Sequence, residues 1–318
     1  MTDRLVAESS DASMAIETPL SFETEIPVLG IATRFATNGA RVREMIEESF
    51  GLWRGARLHT STSVDVRIAV RPGDEGGDPI RIRHRCPDAE RVVAESYGSV
   101  GVSDPARREA RADITEALLA YAERCRTEML EAITFALLSA FDRHPLHAAC
   151  VARGSKAILL CGASGAGKST LALAAHRAGL DVLGEDHVWV QLEPSLHVWG
   201  ASRVARVGSA RHGSTPVAKT AVPLARDASS PLEATAAAVC LLARDDSGPV
   251  LTRIEPTEIT DALLHDVAPG FDRFPTRHER VVRALARDGG WRLALSHDAD
   301  AAIPLIVEVL DASAAARA

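Results

Sequence analysis

The sequence predicts an α/β fold preceded by a smaller α+β region, and three stretches carry that expectation. Residues 157–161 are a short apolar run that ends in the glycine-rich stretch Gly162-Ala163-Ser164-Gly165-Ala166-Gly167-Lys168-Ser169, with Thr170 next and then a helical spacing of Leu171, Leu173, Ala174 and Ala175 up to Gly179. Residues 63–70 alternate Val64, Val66, Ile68 and Val70, the period of a strand with one wet face. Residues 113–141 contain no Gly or Pro and place Ile114, Leu118, Tyr121, Cys125, Met129, Ile133, Leu137 and Phe141 on a helical stripe.

Taken in order, residues 1–24 have the Ser-, Thr- and Glu-rich composition of a flexible tail. A first strand is expected over 25–35, and a helix over 41–53, where Val42, Met45, Ile46 and Phe50 share one face. Strand 63–70, a loop over 72–79 and further strands at 80–85 and 91–96 complete a hairpin-rich region, so residues 25–140 read as one α+β unit suited to binding a substrate. Segment 113–141 predicts a helix at least over its second half, with 114–121 open to strand pairing. His144 to His147 breaks it, and 148–161 reads as two strands joined by a tight turn at 153–155.

Strands flank Gly184-Glu185-Asp186, and a strand pair is expected over 196–207. Residues 211–231 predict a long surface loop, and 236–242 a buried strand. Helices follow at 258–264 and 276–287, a strand at 291–295 and a last helix at 301–311, which makes 141–318 the α/β core.

With 318 residues, 46% hydrophobic and 25% charged, the chain has enough apolar surface for a sizeable core, in two domains or one elaborated domain. The net charge of −7 gives no footing for nucleic-acid binding. Residues 1–25 do not resemble a secretory signal and no apolar run is long enough for a bilayer, so a soluble, cytoplasmic protein without a membrane partner is expected. Five dispersed cysteines, Cys86, Cys125, Cys150, Cys161 and Cys240, read as reduced small hydrophobes. Lysine occurs only at Lys156, Lys168 and Lys219.

The stretch Gly162 to Ser169 is a complete G-x-x-x-x-G-K-[ST], set between strand and helix as its chemistry requires. Backbone N–H groups at a helix N-terminus cradle phosphate oxygens, and a side chain at the glycine positions would block their approach. Lys168 then reaches the β- and γ-phosphates and Ser169 ligates Mg²⁺, so ATP and Mg²⁺ are the expected ligands, held over Gly162 to Thr170. The reaction depends on the carboxylate that faces the γ-phosphate. Two pairs offer one: Glu185-Asp186, and Asp245-Asp246 after the apolar strand, where Arg244 interrupts the lead-in.

Residues 147–190 resemble the catalytic core of the HPr kinase/phosphorylase-like group. That group has a histidine before a strand hairpin, the phosphate loop, a helix that ends in glycine, and an acidic pair between strands; His147 and Glu185-Asp186 stand at the matching places. The resemblance implies a P-loop kinase core of the HPr kinase/PEP carboxykinase-like type. It also implies Mg²⁺-dependent transfer of the γ-phosphoryl of ATP to a hydroxyl of a peptide, a protein or a small metabolite. On it, Asp186 is the base, Glu185 shares the metal with Asp186 and Ser169, Lys168 stabilises the transferred charge, and His147 hydrogen-bonds and orients the acidic pair.

Two departures stand out. Glu185 replaces an aspartate, and the family's later glycine-rich signature is missing, so kinase activity without phosphorylase activity is expected. The segments of the family's hexamer are not recognisable, and a homo-oligomer stays open. Lys219, Arg203 and Arg206 are further candidates for phosphate contact. The competing readings are an ATPase or nucleotide switch built on Asp245-Asp246, a carboxykinase-like decarboxylating enzyme, and a binding module without chemistry.

Overall fold

The computed structural model describes residues 19–73, 82–86, 91–96, 98–200, 204–208, 219–224, 230–245, 247–265, 267 and 273–315. They divide into two compact units, separated between Phe141 and Asp142.

In the first unit the expected first strand is a hairpin, β1 (Phe22–Val28) and β2 (Ile31–Thr37), with Val28 opposite Ile31. Leu29 and Gly30 both have positive φ, as a two-residue type I′ turn requires. β1 begins inside the stretch read as tail. Helix α1 (Ala40–Phe50) buries Val42, Met45, Ile46 and Phe50, and it crosses over to β3 (Ser63–Arg71), which runs parallel to β2. Strands β4 (Arg83–Arg85), β5 (Val92–Ser96), β6 (Ser99–Asp104) and β7 (Glu109–Thr115) complete a seven-stranded sheet in the order β1-β2-β3-β7-β6-β5-β4. Its polar face is laced by cross-strand ion pairs such as Arg34–Asp65 at 2.8 Å and Arg71–Asp113 at 2.6 Å.

The segment 113–141, expected to be helical over its second half and open to strand pairing near Ile114, begins as a strand. Residues through Thr115 belong to β7, paired on both sides, and Ala110, Ala112 and Ile114 are buried with the period of a strand. The Thr115 hydroxyl then accepts from Leu118 N–H as a cap. Short turns lead into a π-helical stretch (Cys125–Glu131) and helix α2 (Ala132–Ser139).

The second unit is a three-layer α/β structure. Its strands are β8 (His144–Leu146), β9 (Ala149–Arg153), β10 (Lys156–Cys161), β11 (Asp181–Gly184), β12 (Val188–Gln191), β13 (His197–Trp199), β14 (Val204–Gly208), β15 (Lys219–Pro223), β16 (Glu233–Ala234), β17 (Ala236–Arg244), β18 (Val250–Ile254) and β19 (Gly290–Leu295). Its helices are α3 (Lys168–Arg177), α4 (Pro256–His265), α5 (Pro275–Ala286) and α6 (Ile303–Ala315).

The central sheet has the order β11-β9-β10-β17-β19-β18. β10 is parallel to β17, and β17 to β19. Both β10 and β11 are antiparallel to β9, so β10, β11, β17 and β19 all point one way. Ile158 and Leu160 of β10 pack with Leu171 and Ala175 of α3 and Ile306 and Leu310 of α6. Ala157, Leu159 and Cys161 turn to the other side, among Ile259 of α4, Val281, Val282 and Leu285 of α5, and Val188, Val190 and Val198 of the small sheet β16-β13-β12-β8. A strand covered on both faces reads as a continuous apolar run, which is why 157–161 looks as it does in sequence.

The strand pair expected over 196–207 does not form. β13 pairs with β12 and β16, and β14 pairs with β15, so the stretch belongs to two different sheets. β15 also occupies part of the loop expected over 211–231; residues 211–218 and 225–229 lie outside the described residues. β18, an antiparallel edge strand, has no counterpart among the expected elements. Most of the loop through Pro269 and Gly270 is outside the described residues as well. Among the described residues, no helix is long and apolar enough to cross a membrane.

Candidate phosphate site

The parallel strands deliver their carboxyl ends to one edge of the central sheet, and the sequence-predicted site residues gather there. In open α/β sheets this edge is where ligands bind.

β10 ends at Cys161 and the phosphate loop begins. Gly162, Gly165 and Gly167 have φ values of 147°, 87° and 107°, a region that side chains rarely adopt. Space is tight at two of them as well: a Cβ at Gly162 would stand 3.2 Å from Leu242 O, and one at Gly167 3.1 Å from Leu295 Cδ1. Ala163, Ser164, Gly165 and Thr170 are exposed, Gly162, Ala166, Gly167 and Ser169 are half-buried, and Lys168 is buried. Lys168 opens α3 and folds back over the loop, where its ammonium donates to the carbonyls of Gly162 at 2.5 Å and Ala163 at 3.3 Å. A loop of this kind presents the free N–H groups of a helix N-terminus, with the dipole aligned to favour an anion.

β9 lies between β10 and β11. Its first residues stand beside the ends of both, with Ala149 opposite Leu160 and Cys150 opposite Gly184. His147, just ahead of β9, and Glu185-Asp186, just after β11, therefore belong to the same edge. His147 Nδ1 is 3.7 Å from Asp186 Oδ1. That separation is a charge contact, longer than the hydrogen bond expected from the sequence. Glu185 is buried at 5% exposure, whereas the Asp186 side chain is 54% exposed. Gly184 makes the turn fit, because a Cβ there would meet His187 O at 2.6 Å and Val188 Cγ1 at 2.5 Å. The two carboxylates thus differ in environment, one inside the protein and one open to solvent.

The second acidic pair has another arrangement. Asp245 is exposed, and its Oδ1 accepts from Ser247 N–H at 2.9 Å and from the Ser247 hydroxyl at 2.6 Å. Those bonds hold its carboxyl below the usual range. Asp246, Arg203 and the side chains of Arg206 and Lys219 lie outside what is described.

One residue at this edge reads in the sequence only as an interruption of the apolar strand. Arg244 ends β17, and its Nη2 lies 3.4 Å from the point where a Cβ on Gly167 would be. The available signal was a charged residue closing an apolar run beside the loop strand. The cysteines take no part in exposed chemistry, apart from Cys86 on the surface of the first unit. Burial pushes the Cys161 thiol up to about 12 and Cys240 higher still.

No family model matches the chain, and no curated protein matches it. Among solved structures, the Hpr(Ser) kinase/phosphatase from Coxiella burnetii is similar at a TM-score of 0.29 and 15% identity, over 54% of this chain and 97% of that one. A superposition that loose carries no argument about chemistry.

Proposed function

We propose that this chain is an ATP-dependent phosphotransferase that moves the γ-phosphoryl of ATP to a hydroxyl of a peptide, a protein or a small metabolite. The observation that supports it is the meeting at one sheet edge of a complete phosphate loop, with Lys168 at its end, and a histidine-flanked acidic pair, with His147 Nδ1 3.7 Å from Asp186 Oδ1.

Each group has a task. The loop N–H groups and the α3 terminus hold the phosphates, and Lys168 leaves its carbonyl partners to reach the β- and γ-oxygens. The exposed Asp186 carboxylate takes the proton of the acceptor hydroxyl as that oxygen bonds to the γ-phosphorus. The bond from phosphorus to the β–γ bridging oxygen breaks, and ADP leaves with the electron pair. His147 orients Asp186. The Ser169 hydroxyl and the carboxylates of Glu185 and Asp186 are hard oxygen donors, the set that suits Mg²⁺, and these residues would hold it. When bound, the ion neutralises charge on the β- and γ-oxygens. Asp245 is less suited to a metal, because Ser247 already occupies its carboxylate.

The test follows the γ-phosphoryl. The purified chain, with γ-labelled ATP and Mg²⁺, is offered cell extract split into protein and small-molecule fractions, beside Asp186→Asn. Label should enter a discrete acceptor with the parent chain, and Asp186→Asn should slow transfer by about 10²- to 10⁴-fold, the usual worth of a positioned base. Free phosphate alone, released equally by both, would overturn the assignment.

A further inference from the structure

The phosphate loop has flanks of opposite charge. Toward β9 and β11 stand His147, Glu185 and Asp186; toward β17 stands Arg244, at the carboxyl end of the strand that lies next to β10. In the sequence reading this second flank was where an ATPase would keep its metal carboxylate. Among the described residues, the charged side chain that lies against the loop there is a cation.

Three features define what Arg244 does. Its guanidinium lies against Gly167, with Nη2 and Cζ 3.4 and 3.7 Å from the glycine's missing Cβ, and Gly167 directly precedes Lys168, the residue that reaches the β- and γ-phosphates. The side chain is exposed, and among the described residues its one hydrogen bond is a long one, Nη1 to the carbonyl of Ser296 at 3.5 Å. The neighbouring carboxylate, Asp245, turns away to Ser247, and among the described residues the guanidinium has no ion-pair partner. Holding a cation against the positive end of α3 is unfavourable by itself, and it becomes favourable once an anion bridges the two.

We propose that Arg244 is a phosphate ligand, which grips the terminal phosphoryl of the nucleotide from the flank opposite the acidic pair and makes the site prefer a nucleoside triphosphate to a diphosphate. The assignment rests on the phosphotransferase reading above. Arginine suits the task because its planar fork gives two parallel N–H donors to phosphate oxygens and keeps its charge at any physiological pH.

The experiment measures ATP and ADP affinities by calorimetry for the full chain, Arg244→Gln and Arg244→Lys, together with their Tm. Loss of a charge-assisted contact to the γ-phosphate should weaken ATP binding by about ten- to a hundredfold in Arg244→Gln, change ADP binding by less than about threefold, and leave Tm in place, with Arg244→Lys recovering part of the ATP affinity. An unchanged ratio of ATP to ADP affinity in Arg244→Gln overturns the proposal. So does an equal loss of both with a lowered Tm, which would make Arg244 a prop for Gly167. If the parent chain binds neither nucleotide, the phosphotransferase reading falls and takes Arg244 with it; if the parent binds ATP and only the Arg244→Gln ratio fails to move, Arg244 falls alone.

Discussion

Asp186 and Glu185 are chemically near-equal in sequence, and one glycine separates their fates. Gly184 ends β11 so tightly that the following backbone doubles back within 2.6 Å of where a Cβ would be, and the turn sends Glu185 inward and Asp186 outward. A methyl at residue 184 must push the His187 carbonyl and Val188 aside, and backbone yields less readily than a side-chain tip. We expect Gly184→Ala to lose on the order of 1–3 kcal/mol of stability and most phosphoryl transfer, read by thermal melts and the γ-label assay. Gly55→Ala, where a Cβ meets nothing within 4 Å, should stay within about 0.5 kcal/mol of the parent. The phosphate loop was legible because its glycines are demanded by backbone geometry, and such demands are written residue by residue. Arg244 was not, since its meaning lies in which strand stands beside β10, and pairing partners far apart in sequence leave no local mark.

At the scale of elements, β8 is pinned to α5 and α4 by a relay of two buried histidines. His144 Nε2 is 2.9 Å from His278 Nδ1, and His278 Nε2 is 3.3 Å from the Leu263 carbonyl. In the tautomer that satisfies both contacts, Nε2–H of His144 donates to Nδ1 of His278, whose own Nε2–H donates to the Leu263 carbonyl. Burial, with the nearby His278 and Arg277, pushes the His144 pKa down from 6.5 to about 3. An imidazole held neutral in the fold and free to protonate when unfolded contributes stability above pH 6.5 and loses it as pH falls toward 3, by up to about 1.4 kcal/mol per pH unit. The melting temperature should therefore fall between pH 6.5 and 5, before most carboxylates titrate, and His144→Gln should flatten that limb; equal slopes would dismiss the relay. The elements themselves were legible where one period dominates, as in α1 and β3. β7 is left open by the sequence because Ala110, Ala112 and Ile114 supply a strand period that merges at Ile114 with the helical stripe, and only its two partners, β3 and β6, decide between them. The strand pair expected over 196–207 failed for the same reason: β13 and β14 are neighbours in sequence but go to separate sheets.

For the molecule as a whole, both core clusters around the central sheet draw their buried residues from Leu146 to Leu310, all within the second unit. A piece spanning residues 142–318 should thus fold by itself, with one cooperative melting transition and near-parental ATP affinity; a broad, non-cooperative melt would show that its core is incomplete. The order in which the central sheet is assembled has a consequence for synthesis. β9, β10, α3 and β11 are contiguous in the chain, and β9 pairs with both β10 and β11, so this part of the sheet can form as soon as it leaves the ribosome. The other edge of β10 must wait, because Ile158 pairs with Ala238 and Leu160 with Cys240. Until β17 emerges, a nascent chain carries an unpaired, wholly apolar strand edge, the kind of template on which one chain recruits another. Premature termination anywhere between β11 and β17 should yield aggregates in place of a truncated but soluble phosphate site.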